Sequence, residues 1–159
     1  MGGWALGALV AVGLAGPAAD AADLRLSTLS GAPVPAAGQA GPTILAFWRA
    51  DCAPCLIELN EAAAYAQAAR PGRMLFVGLQ QPQVLREAAL KAGASLDLIV
   101  SADGAASEIL TRFGGAPPRL PLAVALDASG RVCARRHGLL GIERVMAWAQ
   151  TCGRSHAGG

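Results

Sequence analysis

The fold is decided by the stretch Phe47-Trp48-Arg49-Ala50-Asp51-Cys52-Ala53-Pro54-Cys55, in which two cysteines stand three residues apart. Ahead of it, residues 43–48 form an apolar run rich in β-branched and aromatic types, which is typical of a buried strand. Behind it, apolar residues recur at helical spacing until Pro71-Gly72, which predicts a helix that ends there. The two cysteines therefore lie where a buried strand gives way to the first turn of a helix.

This position gives the two cysteines different chemistry. Unpaired backbone N–H groups and the helix dipole at a helix N-terminus stabilise a thiolate over a thiol. We therefore predict Cys52, at the edge of the turn, as the attacking thiolate. Cys55 lies one turn further in, so we expect it to be more buried and to resolve a mixed disulfide by attacking the Cys52 sulfur. Pro54 is tolerated because the first helical turn has no N–H partner to lose.

The spacing alone leaves two other uses of a Cys-x-x-C pair open: half of a zinc site and a structural disulfide. Zinc would need two more ligands at finger-like spacing. The remaining candidates are Cys133, Cys152, His137 and His156, and we expect both histidines to be surface residues. The strand-to-helix context favours the redox use, in which the cysteine pair is itself the redox centre and no metal or cofactor is needed.

Size and charge indicate a single domain without a nucleic-acid partner. The 159 residues are about half apolar, which is enough for a proper core. The net charge of +2 is spread without runs, so nothing points to nucleic acid. We expect one domain at residues 22–152, a monomer, with a flexible tail at residues 153–159.

The first 21 residues have the pattern of an export signal. The apolar stretch from Trp4 to Ala15 is about twelve residues long, too short to cross a bilayer comfortably, and Ala19-Asp20-Ala21 is typical of a cleavage site. No Lys or Arg precedes Trp4, which is atypical of a signal, and the alternative is an uncleaved membrane anchor. Four cysteines in a small chain fit an oxidising compartment. We predict a signal peptide at residues 1–21 and a periplasmic or secreted protein.

Strand-like and helix-like segments alternate along the rest of the chain. Strands are predicted at residues 23–31, 43–48, 74–79 and 95–100, and helices at residues 56–69, 82–91 and 105–113. Two further strands, at 117–126 and 131–136, flank the turn Asp127-Ala128-Ser129-Gly130, which predicts a β-hairpin. A last helix is predicted at 142–150. The alternation indicates an α/β fold with a partly parallel sheet covered on both faces.

Taken together, these features resemble the extracytoplasmic thioredoxin-like proteins of the TlpA/ResA type, which include the reductants of cytochrome c maturation. The likeness covers about residues 23–152. It rests on Phe47-Trp48 before the Cys-Ala-Pro-Cys motif, Glu58 three residues past the second cysteine, Val77-Gly78 in the next strand, an insertion from Pro82 to Phe113, and Pro121 opening a hairpin strand. The resemblance implies a thioredoxin-like fold with three α/β/α layers, a central mixed sheet and the TlpA-type insertion.

The resemblance also implies roles for single residues. Cys52 would be the nucleophile, Cys55 the resolving thiol, and Pro121 a cis-proline facing them; without the resemblance, a trans proline is the ordinary expectation. In this family the proline loop offers backbone groups to the substrate, and that backbone could pair with an extended peptide. The residues expected to contact the substrate are Trp48, Asp51, Ala53, Pro54 and Leu120.

Glu58 is the candidate proton acceptor. It stands one turn from Cys55, where a partly buried carboxylate can relay the thiol proton and shift thiol pKa values. Thioredoxin carries a buried Asp in the strand before the dithiol, but Ala46 stands at that position here. The alternative is a solvated carboxylate near a favourable helix end.

Two departures from the family pattern bear on redox direction and helix shape. Asp51 stands where the family usually has Trp, so part of the apolar docking surface is missing. Its carboxylate should also disfavour the Cys52 thiolate and so stabilise the disulfide relative to the dithiol, and neither Ala53 nor Pro54 supplies positive charge. Both facts favour a reductant. Asn60 stands where the family tends to have a helix-kinking proline, so we expect a straighter helix.

Cys133 and Cys152 form a second pair without Cys-x-x-C spacing. In a thioredoxin fold the last helix packs near the edge of the sheet, so a structural disulfide between them is plausible. It would close a loop of about 20 residues and contribute about 3 kcal/mol. The other interpretations are a relay that exchanges with Cys52–Cys55, and two unpaired thiols.

These observations predict an exported thiol:disulfide oxidoreductase that reduces disulfides in other exported proteins, such as apocytochromes or copper-site proteins. A membrane thiol electron donor would then reduce the Cys52–Cys55 pair again. One alternative is a copper-binding chaperone that uses the same cysteines, with His137 as the candidate further ligand. Another is a peroxiredoxin-like peroxidase, which is disfavoured because the Pro-x-x-x-Thr-x-x-Cys pattern is absent.

Overall fold

A computed structural model of the chain describes residues 20–38 and 41–154. Its strands are β1 (Leu26–Thr28), β2 (Pro33–Val34), β3 (Thr43–Trp48), β4 (Arg73–Gly78), β5 (Ile99–Ala102), β6 (Leu122–Leu126) and β7 (Val132–His137). Its helices are α1 (Ala53–Asn60), α2 (Ala62–Ala68), α3 (Pro82–Lys91), α4 (Ala106–Gly114) and α5 (Ile142–Arg154), with one 3-10 turn at Leu96–Leu98. None of the helices in these ranges has the length and apolar character needed to cross a lipid bilayer.

The strands form one mixed sheet in the order β2-β1-β5-β4-β3-β6-β7. The central strands β3, β4 and β5 run parallel, and β6 pairs antiparallel with β3 on the other side. The predicted hairpin is confirmed, because β6 pairs antiparallel with β7 across the turn at residues 127–130. The sheet is therefore parallel at its centre and antiparallel at both edges.

Helices cover both faces of the sheet, as expected for three α/β/α layers. All six residues of β3 are buried, as an apolar run predicts for a strand covered on both faces. One set of its side chains, Ile44, Ala46 and Trp48, packs with α1, α2, α3 and α5. The alternate set, which includes Leu45 and Phe47, packs with α4. The Phe47 and Phe113 rings stack at 5.4 Å and tie α4 to the strand that leads to the cysteines.

Several predicted boundaries were wrong for local reasons. The helix after the cysteines is not the single helix that we predicted: it is interrupted at Glu61, where the N–H bonds the Glu58 carbonyl three residues back. Residues 96–98 form a 3-10 turn, and the strand follows at 99–102; alternating Leu-Asp-Leu fits either form. Of the predicted strand at 23–31, residues 26–28 pair in the sheet.

The ends of the described fold differ from the predicted domain limits. Most of the predicted signal peptide, residues 1–19, lies outside the described residues, but Asp20 bridges to Arg131 and the Ala21 N–H bonds the Gly130 carbonyl at 2.8 Å. At the other end, α5 continues to Arg154, so residues 153 and 154 belong to the helix and not to a tail. The predicted tail beyond them, including His156, lies outside the described residues.

Candidate functional site

Cys52 and Cys55 lie at the N-terminus of α1 and are joined by a disulfide bond, with their Cα atoms 5.3 Å apart. Cys52 is the N-cap residue and is half-buried, whereas Cys55 is 2% exposed. The first helical hydrogen bond runs from the Leu56 N–H to the Cys52 carbonyl at 3.2 Å. The N–H groups of Ala53 and Cys55 therefore come before the first helical hydrogen bond. N–H groups at this position favour negative charge on the Cys52 sulfur.

The parallel strands place this turn at one end of the sheet. Trp48 pairs with Gly78, the last residue of β4, so the chain leaves the sheet just before the cysteines. The chain behind β4 returns to support the turn, because the Ala50 N–H donates to the Gln80 side-chain oxygen at 2.6 Å. The carboxyl edge of an open parallel sheet is a common place for functional sites.

Glu58 lies one turn after Cys55 and is 5% exposed, so it is a buried carboxylate and not a solvated one. One of its oxygens accepts a hydrogen bond from the Leu140 N–H. Burial raises the pKa of the Glu58 carboxyl; the Leu140 hydrogen bond and the charge of Arg136 oppose this rise, and the charge of Glu61 adds to it. Residues three apart on a helix share a face, so Glu58 and Cys55 lie on the same buried face of α1.

Pro121 reaches the same end of the sheet from the antiparallel side. Leu122 pairs with Phe47 near the end of β3. Pro121, one residue before Leu122, therefore lies at the end of the sheet where β3 leads into the cysteine turn. The Leu120–Pro121 peptide bond is cis, as the resemblance implied, and the Pro121 carbonyl accepts a hydrogen bond from the Gly138 N–H at 2.9 Å. Two further cis bonds, Arg70–Pro71 and Ala116–Pro117, had no signal in the sequence.

Asp51 is paired with Arg49, a contact that we did not predict from the sequence. The two side chains form a bidentate ion pair at 2.9 and 3.1 Å. The hydrogen bond from Arg49 lowers the pKa of the Asp51 carboxyl. The positive charge of Arg49 therefore offsets the negative charge of Asp51 near Cys52. The expectation that Asp51 disfavours the Cys52 thiolate is weakened accordingly. The spacing of two residues between opposite charges was the available signal.

The residues predicted to contact a substrate fall into two groups. Asp51, Ala53 and Pro54 are exposed around Cys52, and Leu120 is half-buried ahead of the cis-proline. The expectation for Trp48 was wrong: its side chain is 1% exposed and packs in the core, because β3 is covered on both faces. Trp48 therefore packs in the core at the end of β3 that leads to the cysteine turn, and its side chain offers no surface to a partner.

His137 is not the surface residue that we expected. It is half-buried at the end of β7, and its Nε2 donates to the Gly114 carbonyl of α4 at 2.9 Å. A Cβ atom at Gly114 would lie 2.8 Å from the imidazole, so a glycine is needed for this contact. Within residues 20–38 and 41–154, no three His, Cys, Asp or Glu side chains are grouped as a metal site requires.

Cys133 and Cys152 are also joined by a disulfide bond, with Cα atoms 5.9 Å apart. Cys133 lies on the edge strand β7 between residues paired with Ala125 and Leu126, whereas Pro121 lies before the other end of β6. Four residues of strand, from Pro121 to Ala125, span about 13 Å. The second disulfide therefore lies toward the end of β6 away from Pro121, a placement that favours a structural disulfide over the relay interpretation.

No protein-family model matches the sequence, and no curated protein matches it. Solved structures do resemble its fold. A thioredoxin-related protein from Neisseria meningitidis serogroup B aligns with a TM-score of 0.63 at 17% identity, over 80% of this chain and 97% of that one. A thiol:disulfide interchange protein of the thioredoxin family from Chlorobium tepidum aligns with a TM-score of 0.59 at 19% identity, over 79% and 89%. A secreted Mycobacterium tuberculosis disulfide oxidoreductase homologous to E. coli DsbE aligns with a TM-score of 0.55 at 22% identity, over 79% and 93%. The chain therefore has a thioredoxin-like fold.

Proposed function

We propose that the chain is a thiol:disulfide oxidoreductase whose Cys52–Cys55 pair exchanges with disulfides of other proteins. The observation that carries this proposal is the asymmetry of the pair: half-buried Cys52 at a helix N-terminus is bonded to buried Cys55, and a buried carboxylate follows one turn later on the same helix. The activities of the Chlorobium and Mycobacterium proteins, which share the fold, support it by analogy.

In the reductive direction, the reduced chain reacts in two exchange steps. The Cys52 thiolate attacks one sulfur of the target disulfide, the target S–S bond breaks, and the other target sulfur leaves as a thiolate. Cys55 then loses its proton and attacks the Cys52 sulfur, which releases the second target thiolate. Two electrons have passed to the target, and the Cys52–Cys55 disulfide has formed.

We assign Glu58 as the acceptor of the Cys55 proton. Cys55 is shielded from water, so its deprotonation needs an acceptor inside the protein. Burial raises the pKa of the Glu58 carboxyl, which makes its carboxylate a better base near neutral pH than a solvated one. The hydrogen bond from the Leu140 N–H holds this carboxylate in place.

We propose the reductive direction, with exported disulfide proteins such as apocytochromes or copper-site proteins as targets and a membrane thiol donor as the source of electrons. Ala53 and Pro54 carry no charge, so the residues between the two cysteines supply no cation that would make the pair a strong oxidant. We also propose export through residues 1–21. Two disulfides in a small chain fit an oxidising compartment.

Trapping the mixed disulfide tests the proposed exchange. In the Cys55→Ser variant, Cys52 can attack a disulfide-bonded target peptide but nothing resolves the product. We expect a covalent adduct, found by mass spectrometry, that a reductant reverses. The matched Cys52→Ser variant should give no adduct. The proposal would be wrong if Cys55→Ser formed none, or if both variants formed it equally.

A further inference from the structure

The four-residue connection between β7 and α5, residues 138–141, is fixed to its surroundings at every position. At its two ends, Gly138 donates to the Pro121 carbonyl at 2.9 Å and Gly141 donates to the Tyr65 hydroxyl at 3.2 Å. Between them, the Leu139 carbonyl accepts from Arg136 Nε at 2.7 Å, and the Leu140 N–H donates to Glu58. We call residues 138–141 the clamp loop.

Tyr65 is a buried member of this arrangement that the exchange chemistry does not use. Tyr65 lies on α2 and Glu58 on α1, and both side chains accept hydrogen bonds from backbone N–H groups of the clamp loop. Its ring is 4% exposed and meets the Phe76 ring edge to face at 6.3 Å. The hydroxyl is therefore held in one place by a packed ring, and it accepts the hydrogen bond from the clamp loop.

The other end of the clamp loop reaches the proline segment. Because Gly138 bonds the Pro121 carbonyl, a shift of the loop shifts the backbone on which Leu120 sits. Leu120 is half-buried and lies just outside β6, which begins at Leu122. An extended target chain that reaches Cys52 would pair with this segment, as a strand added to an edge pairs through backbone groups.

We infer that Tyr65 is a positioning residue for target binding: its hydroxyl holds the clamp loop, and the clamp loop holds the Leu120–Pro121 segment against which a target polypeptide pairs. This inference rests on the proposed exchange function. It implies that Tyr65 acts on protein targets through their backbone. A small disulfide that offers no backbone to pair should react with Cys52 independently of Tyr65.

The test compares two substrates across two variants that each lose one buried hydroxyl. Tyr65→Phe keeps the ring against Phe76 and removes the acceptor for Gly141. Thr43→Val is the matched control, because the fully buried Thr43 hydroxyl accepts from Arg73 Nε at 3.2 Å at the opposite end of β3. Each variant would be assayed with insulin as the protein disulfide and with a small aromatic disulfide such as dithiobis(nitrobenzoate).

We expect Tyr65→Phe to raise KM for insulin by about three- to tenfold, the range for one lost neutral hydrogen bond, with kcat little changed. Its rate with the small disulfide should match the wild type, and Thr43→Val should leave both reactions unchanged. Of the two variants, only Tyr65→Phe should show faster amide hydrogen exchange in residues 138–141. This readout tests the loop directly, whatever the change in overall stability.

The inference would be overturned if Tyr65→Phe left KM for insulin unchanged, if it slowed both substrates equally, or if exchange in the clamp loop did not change. These results differ from a failure of the proposed function. In that case the wild-type chain would reduce neither substrate.

Discussion

The molecule carries the same covalent bond in two places, and the surroundings of the two disulfides differ in almost every respect. Cys52–Cys55 joins residues three apart at the start of a helix, where Cys52 is half-buried, Cys55 is buried and a buried carboxylate lies one turn further on. Cys133–Cys152 joins residues 19 apart and fastens the last helix to an edge strand. We attribute the proposed exchange at Cys52–Cys55 to its helix terminus and neighbouring carboxylate, because the S–S bond itself is common to both pairs.

The largest expected difference between the pairs is in activity. Cys52→Ser should lower protein-disulfide reduction by on the order of a thousandfold or more, because the nucleophile is lost. Cys133→Ser with Cys152→Ser should keep the rate within about twofold, because Cys133 adjoins the end of β6 that lies away from Pro121. Insulin reduction measures both variants. A double serine variant that loses activity while still folded would remove the distinction between a reactive and a structural pair.

For stability, the Cys133–Cys152 disulfide should matter more than Cys52–Cys55. Loss of Cys133–Cys152 should lower the free energy of unfolding by about 3 kcal/mol, because the bond closes a long loop in the unfolded chain. The Cys52–Cys55 bond closes a much shorter loop, so its loss should lower the free energy of unfolding by about 2 kcal/mol or less. Denaturant unfolding of the two double serine variants checks this order, and a larger loss for the Cys52–Cys55 variant would contradict it.

Glu58 should make stability depend on pH at the reactive pair. The pKa of its carboxyl is raised in the folded protein, so the folded state holds this proton more tightly than the unfolded state. Its contribution is fully present below the ordinary carboxyl pKa of 4.5 and is lost as the pH rises through the folded value. The loss is about 1.4 kcal/mol for each unit by which the pKa is raised.

Glu58→Gln keeps an acceptor for the Leu140 N–H but cannot ionise. We therefore expect its melting temperature, relative to the wild type, to rise as the pH increases from about 4 toward neutrality. Glu108→Gln, which removes an exposed carboxylate on α4 across the sheet, is the control for the loss of one negative charge. Parallel pH profiles for Glu58→Gln and the wild type would show that the carboxylate is not buried as described.

The smallest effect should come from the Arg49–Asp51 pair. Arg49→Ala leaves the Asp51 carboxylate alone beside Cys52 and should raise the pKa of the reduced Cys52 thiol, while Asp51→Asn should lower it. Both side chains are in contact with solvent, which screens their charges, so each change should be small. Ultraviolet absorbance of the thiolate against pH measures it, and shifts of the opposite sign would refute the charge argument.

The sequence revealed the parts of this molecule that depend on local pattern. The buried strand at 43–48, the helix at 82–91 that begins with Pro82, and the cysteine turn all follow from residues close together in the chain. Trp48 was misread because a residue next to a reactive motif can still point into the core. Its orientation depends on which face α1 and α5 cover.

The contacts that complete the site were not predictable from the sequence, since they join distant segments. The Leu140 and Gly141 amides meet Glu58 and Tyr65 across 82 and 76 residues, and backbone amides leave no trace in a sequence. The break at Glu61 was missed because Ala-rich helical spacing continues through it. The structure shows positive φ at Gly138 and Gly141, which glycine adopts readily, but the two residues carry no sequence signal for the contacts of the loop between them.

The measurement that tests the central claim most directly is the midpoint potential of each disulfide in the same protein, by equilibration with thiol buffers and mass-spectrometric counting of alkylated cysteines. We predict that Cys52–Cys55 titrates near about −270 mV while Cys133–Cys152 stays oxidised to below about −300 mV. Reduction of both pairs together, or of Cys133–Cys152 first, would contradict the division into a reactive and a structural disulfide. A value near about −120 mV for Cys52–Cys55 would contradict the reductive direction and indicate a donor of disulfides.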